Sequence, residues 1–367
     1  MDRRGVSYDV GRVLGLNWRP DFDAAVVRRE LQIIRDDLHC NAVRICGREI
    51  ARLVTAATAA TELGLEVWFS PELWDKSPRQ TLAHIAQAAA AAEALRTRCP
   101  DLLVFVVGSE LTLFMQGVIP GSSFNKRLHS AFTTDAVRTG AHNRPLNAFL
   151  AEATECVRRV FGGPLTYASL PWETVDWSLF DFVGVDHYRD ARIRKRYTAM
   201  LEPLLGIGKP VVITEVGWGT CRALEGSSSD AEPRLGGILS NAVDNRTLFL
   251  HSVSLVGRFV RPRLKVNFLR DEKRQAAEVG ETLVLLDGAG VAGAFVFTFV
   301  APLFGYSDEP RYDLDMVSAS LVKTYADGRR GVRYPDLPWE PKLAFQTVAD
   351  YYSKGDAGGG RQITPAG

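Results

Sequence analysis

The amino-acid sequence predicts a single (β/α)8 barrel of the TIM type, with long loops after its fourth and seventh strands. Three observations carry that reading. Short apolar, β-branched runs alternate eight times with longer helical stretches, which implies right-handed βαβ crossovers and a parallel sheet. The turn after the first run, Asp9-Val10-Gly11-Arg12-Val13-Leu14-Gly15, lacks the glycine spacing of a phosphate-binding loop, which argues against a doubly wound open sheet. Two of the runs end in a glutamate, where strands of a barrel open onto its functional mouth.

The eight expected strands are Gly5–Val10, Asn41–Cys46, Leu65–Ser70, Leu102–Gly108, Leu165–Ser169, Phe180–Asp186, Pro210–Thr214 and Gly293–Phe299. Between the first two, Ala24–Leu38 carries Val26, Val27, Leu31, Ile34 and Leu38 at helical spacing. Arg48–Leu63 and Pro78–Arg98 are rich in alanine, the strongest helix former. Asn147–Phe161, Thr198–Leu205 and Glu272–Asp287 continue the alternation, and Pro338–Tyr352 is the expected last helix. Gly117–Pro145 and Thr220–Asp271 are too long for plain turns and follow strands four and seven, on the side where barrel active sites form. Ser227-Ser228-Ser229-Asp230 marks an exposed tip in the second. Residues 1–354 are expected to form one barrel domain, and the Gly-rich 355–367 a disordered tail.

Composition narrows the function classes. A 46% hydrophobic chain of 367 residues can bury a large core, and a net charge of +1 offers no global field for nucleic acid or anionic membrane. The clusters at 192–196 and 258–263 are basic but carry no aromatic stacking pattern, so they are expected to be solvated faces. Five scattered cysteines without a CxxC pair suggest reduced side chains rather than a zinc or redox site. No apolar stretch follows Met1, and no run of about 20 apolar residues occurs. The expectation is a cytoplasmic protein with no membrane or nucleic-acid partner; the oligomeric state stays open.

In a closed barrel the strand ends converge. They supply Arg44 and Cys46; Glu72, Trp74 and Asp75; Ser109 and Glu110; Trp172 and Glu173; Asp186, His187 and Tyr188; Glu215 and Trp218; and Thr298, Phe299 and Pro302. A carboxylate ending a buried strand beside a Gly-Trp turn, as at Glu215, is costly unless it is used. Two glutamates on two strand ends are the minimum equipment for breaking a glycosidic bond.

Val107-Gly108-Ser109-Glu110, Ile213-Thr214-Glu215-Val216-Gly217-Trp218, Phe182-Val183-Gly184-Val185-Asp186-His187-Tyr188 and Ala42-Val43-Arg44-Ile45 together resemble the strand motifs of (β/α)8-barrel retaining glycoside hydrolases of the cellulase and β-galactosidase type. The resemblance spans most of residues 5–350. It implies Glu110 as acid/base, Glu215 as nucleophile, and Arg44 and Tyr188 as supports of the Glu215 carboxylate. No metal or cofactor is implied, and the partner is a small carbohydrate or glycosylated metabolite. More faintly, the chain resembles actinobacterial barrel proteins labelled abortive-infection proteins. Trp74, Trp172 and Trp218 offer flat faces for sugar rings. Ser109 departs from the pattern, which has asparagine before the acid/base glutamate, and Phe299 stands where a tryptophan often floors the sugar site.

Alternatives remain beside these assignments. His187 serves equally as a site residue or a satisfied core group, and Trp74 and Trp172 as sugar platforms or barrel packing; Glu72, Asp75 and Glu173 suit substrate hydroxyls, but solvated loop charges are the more ordinary reading. A metal hydrolase is a weaker reading, since an HxH pair after the first strand is missing and there are six histidines in all. The same fold also serves acid/base chemistry on a specialised metabolite, or a non-catalytic binding or defence role.

Overall fold

The computed structural model describes residues 1–13, 16–17, 19, 21–223, 242–244, 246–248, 251, 260–325 and 327–357. Eight parallel strands close into a barrel: β1 Arg3–Asp9, β2 Ala42–Gly47, β3 Glu66–Pro71, β4 Leu103–Ser109, β5 Leu165–Ser169, β6 Val183–Asp186, β7 Val211–Val216 and β8 Gly293–Val296. Each strand pairs with its neighbour in sequence, and β1 closes the ring on β8, with Arg3 opposite Gly293 and Val6 opposite Val296. The apolar runs of the sequence are these strands, with small shifts at their ends.

Helices Ala24–Asp36, Ile50–Glu62, Pro78–Arg96, Asn143–Arg158, Glu272–Gly288 and Leu343–Ala357 surround the barrel. Local chemistry starts them. Asp23 accepts from the Ala25 and Val26 N–H groups, and Ser77 and Gln80 form a capping box ahead of Pro78. The segment expected as a helix at Thr198–Leu205 is instead a 3-10 turn, Ala199–Leu201, running into the short helix Glu202–Leu205. The last helix starts at Leu343 rather than Pro338. Trp339–Pro341 is an extended strand paired with Val322–Thr324, because Trp339 is drawn into the core and its indole N–H donates to Glu30 at 2.9 Å. That helix runs to Ala357, so residues 355–357 are helical, while 358–367 lie outside the described residues.

At its N-terminal end the barrel is plugged by Trp68, whose ring centroid lies 5.3 Å from Phe182 and 5.0 Å from Phe295. Beneath the plug, Glu66 accepts from both the Trp68 indole (2.6 Å) and Arg3 (2.7 Å). The loop 117–145 is built, carrying the helices Phe124–Thr133 and Asp135–Arg138. The loop from Thr220 to Asp271 is described in part. Its ends pair as Cys221–Ala223 against Phe268–Arg270, and its expected tip at 227–230 lies outside the described residues. Among the described residues no helix is long and apolar enough to cross a membrane.

The ladder is irregular at two strands. Val106 and Ser109 of β4 face Thr166 and Ala168 of β5, so β4 carries an extra residue. Ile213 and Glu215 of β7 face Val185 and Asp186 of β6, and the β7–β8 register shifts beside it. Such bulges re-aim side chains. These two lie immediately before Glu110 and Glu215.

Candidate active site

Glu215, next to last in β7, is anchored at both of its carboxylate oxygens. Arg44, fully buried on β2, donates to its Oε1 at 2.5 Å, and the Tyr188 hydroxyl donates to its Oε2 at 2.6 Å. A guanidinium and a phenol on opposite oxygens fix the plane of this carboxyl group. The second arm of Arg44 reaches Glu72 Oε1 at 3.5 Å, and the Trp74 indole donates to Glu72 Oε2 at 3.3 Å. Arg44, Glu72, Tyr188 and Glu215 therefore form one hydrogen-bonded group drawn from four strand ends.

Glu110 follows β4 in the left-handed region, at φ 44° and ψ 40°. A non-glycine residue there costs about 1 kcal/mol or more. Neighbouring bonds hold it. Its own N–H donates to the Ala168 carbonyl at 2.9 Å, Leu111 N–H to the Tyr167 hydroxyl at 2.8 Å, and Thr112 N–H to Glu173 Oε1 at 3.2 Å. Glu173 also accepts from the Tyr167 hydroxyl and from Leu170 N–H. It is neither a solvated charge nor a free hydroxyl binder, but the anchor of the turn that presents Glu110. Among the described residues no group donates to the Glu110 carboxyl. Burial, then the charges of Asp186 and Glu215, push that carboxyl well above the usual carboxylate range. Glu110 is thus raised by burial and neighbouring carboxylates, whereas Glu215 is held by a cation.

Asp186 ends β6 and is almost fully buried. Thr214 Oγ1 donates to its Oδ1 at 2.5 Å and Ser109 Oγ to its Oδ2 at 3.4 Å. Burial and the Glu215 charge raise its pKa well above the ordinary value, against the pull of Arg44. Asp9 ends β1, and its Oδ1 accepts from Gly11 N–H at 2.6 Å. Burial and Glu72 push Asp9 up to about 8, and burial pushes Glu72 up to about 7 against the pull of Arg44. The mouth is a ring of carboxyls around the buried Arg44 guanidinium, and burial together with their mutual charges raises the pKa values of Asp9, Glu72, Glu110 and Asp186.

A stability consequence follows from Asp9. The folded state keeps a proton that the unfolded chain releases near pH 4, so this contribution is fully present below about pH 4 and is lost as pH rises through about 8. Asp9→Asn keeps the acceptor for Gly11 and does not titrate. Between pH 5 and 8 the wild-type melting temperature is expected to fall by about 3–5 °C more than that of the variant. Parallel slopes in differential scanning calorimetry would refute the assignment.

The other expected site residues are placed as follows. Trp74 is half-buried and stacks on Phe114, with centroids 3.5 Å apart. Asp75 pairs with the buried Arg127 at 2.5 Å, which pins the 117–145 loop. Trp172 packs edge-on against His142. His187 is spent on structure: its ring lies on Tyr197 at 4.3 Å and its Nε2 bonds the Tyr197 carbonyl at 2.9 Å. Trp218 has the Arg194 and Arg274 guanidinium carbons 5.5 and 5.6 Å from its ring centroid, which makes its ring a cation–π partner. Phe299 is fully buried against Trp339 and Tyr8 and is a core residue, not a floor of the mouth. The half-exposed aromatic after β8 is Phe297, edge-on to Tyr188.

Asp9 and Phe297 lie outside the set expected from the sequence, and Asp186 was among the strand-end residues but had no role assigned to it. For the two aspartates the strand-end position was the available signal. Among the described residues no group of three or more His, Cys, Asp or Glu side chains is arranged to hold a metal ion.

No protein-family model matches the chain, and no curated protein sequence matches it. Solved structures do share its fold. A GH113 β-1,4-mannanase aligns at 13% identity with a TM-score of 0.56, over 96% of this chain and 98% of its own. The GH113 β-mannanase of Alicyclobacillus acidocaldarius aligns at 16% identity with a TM-score of 0.56, over 96% and 97%. The β-D-glucuronidase of Dictyoglomus thermophilum aligns at 13% identity with a TM-score of 0.54, over 96% of this chain but 50% of that one. The chain therefore has the single (β/α)8 architecture of these glycoside hydrolases. The fainter likeness to abortive-infection proteins finds no support among them.

Proposed function

We propose that the protein is a retaining glycosidase acting on a small glycoside or oligosaccharide by double displacement, without metal or cofactor. The observation that carries this reading is the placement of Glu215, held by Arg44 and Tyr188, and of Glu110, whose carboxyl is pushed up by burial and by the charges of Asp186 and Glu215, at the ends of two bulged strands. Glu215 attacks the anomeric carbon, and the bond to the leaving oxygen breaks as Glu110 delivers its proton there. Glu110, now a base, takes a proton from water as that water displaces Glu215.

The fold neighbours include mannanases and glucuronidases, which makes β-mannosides and β-glucuronides the first substrates to compare. The carboxyl ring at the mouth disfavours an anionic sugar, so neutral glycosides are the expected class. A panel of nitrophenyl glycosides tests this. Turnover of a neutral member, and labelling of Glu215 by the matching 2-deoxy-2-fluoro glycoside in peptide mass spectrometry, is the expected outcome. An adduct on another residue would overturn the assignment of the nucleophile. Absence of turnover across the panel would instead favour the readings in which the barrel serves other acid/base chemistry or binding alone.

A further inference from the structure

We propose that Asp186 is a positioning residue that sets the spacing of Glu110 and Glu215 by holding, with one carboxyl group, the residue that precedes each of them. This rests on the reading of those two glutamates as acid/base and nucleophile. Asp186 Oδ1 accepts from Thr214, which precedes Glu215, and Oδ2 accepts from Ser109, which precedes Glu110.

Three features make this link more than a buried hydrogen bond. First, β4 and β6 are not neighbours, because β5 lies between them. The Asp186–Ser109 contact spans a strand and supplies a cross-tie that no ladder bond provides. Second, both tied residues sit at the bulges of β4 and β7, where an extra residue breaks the regular pairing. A bulge lets adjacent side chains serve the same interior, as Thr214 and Glu215 do, but it removes the ladder bonds that would fix their position. Third, Asp186 is 1% exposed, Ser109 4% and Thr214 0%. None of the three is open to a substrate, so their effect on chemistry passes through the glutamates. His187 N–H adds a backbone bond to the Glu215 carbonyl at 2.9 Å, so the β6 end touches the nucleophile's segment twice.

Ser109 thereby acquires a task. Its hydroxyl is committed to Asp186 and lies buried, which suits a short residue at this point.

The test uses the full chain with Asp186→Ala, Asp186→Asn, Thr214→Val and Thr214→Ser. Asparagine keeps an acceptor for Thr214 and a polar partner for Ser109, so it preserves the tie without a titrating group. Misplacement of reacting groups by about 1 Å costs on the order of 10²-fold, and Asp186→Ala is expected to lose about that much in kcat with KM changed less than about threefold. By the same reasoning Thr214→Val loses about tenfold, while Asp186→Asn stays within about fivefold and Thr214→Ser within about threefold of wild type. Crystal structures of the alanine and asparagine variants should show the Glu110–Glu215 carboxyl spacing widened by about 1 Å in the first and unchanged in the second.

Equal losses in Asp186→Ala and Asp186→Asn would overturn the proposal in favour of a proton-transfer or charge role. Wild-type kcat in Asp186→Ala, or an unchanged spacing there, would overturn it outright. Should Asp186→Ala fail to fold, the two Thr214 variants carry the same comparison. If the wild-type protein hydrolyses no glycoside, the functional reading fails, and the spacing in the variant structures still decides whether Asp186 is the tie.

Discussion

Glu215→Ala is expected to lose turnover of a nitrophenyl glycoside by about 10⁴-fold or more, the scale on which removing a covalent nucleophile acts. The fold should survive, because the side chain is at the mouth and 14% exposed. Its removal leaves the buried Arg44 guanidinium with the longer Glu72 contact as its remaining carboxylate partner, so some loss of stability accompanies the loss of rate. Azide distinguishes this variant from its partner. A small anion in the space vacated by the Glu215 carboxylate attacks the anomeric carbon directly, giving a glycosyl azide of configuration opposite to the substrate. Glu110→Ala leaves the nucleophile in place, so azide intercepts the glycosyl-enzyme and gives the azide of the same configuration. Assay of both variants with and without azide, with the products identified by NMR, reads the two roles separately. Identical azide products from both would contradict the assignment.

Arg44→Met is expected to have the second largest effect, on both stability and rate. Arg44 is the buried cation of the carboxyl ring and bonds Glu215 and Glu72 with different arms of its fork. Removing one partner of a buried ion pair typically costs about 3–5 kcal/mol, and here it leaves carboxylates facing one another. Chemical denaturation should show that loss, and kcat/KM at neutral pH should fall by about 10³-fold, since the nucleophile loses its counter-ion. Arg44→Lys restores the charge but not the fork, so its rate should lie between those of wild type and Arg44→Met. A methionine variant as active as wild type would remove the electrostatic basis of the account.

The sequence made the barrel legible, for a physical reason. Each strand is buried on both faces and so appears as a continuous apolar run such as Leu103-Val104-Phe105-Val106-Val107, while helices such as Pro78–Arg96 show alanine richness and a capping serine. Glu110 and Glu215 stood out as polar groups at the ends of such runs, and Arg44 and Tyr188 stood out through their resemblance to the family's strand motifs; the structure joins Arg44 and Tyr188 to Glu215. Position along a strand end did not reveal direction. His187 and Phe299 lie at strand ends like their neighbours, yet one lies on Tyr197 and the other is buried beside Trp339. The β4 and β7 bulges alter the two-residue alternation that would have distinguished inward from outward positions. Asp186 lies two residues before Tyr188, but its tie to Ser109 crosses a strand and exists only once the barrel is closed.

The central claim is that two glutamates cooperate on one anomeric carbon, one by attack and one by proton transfer. The stereochemistry of the first-formed sugar tests it most directly. Proton NMR recorded during the first minutes of hydrolysis, before mutarotation, should show a product with the same anomeric configuration as the glycoside supplied. A first-formed product of inverted configuration would mean that water attacks directly, and would contradict a covalent intermediate on Glu215.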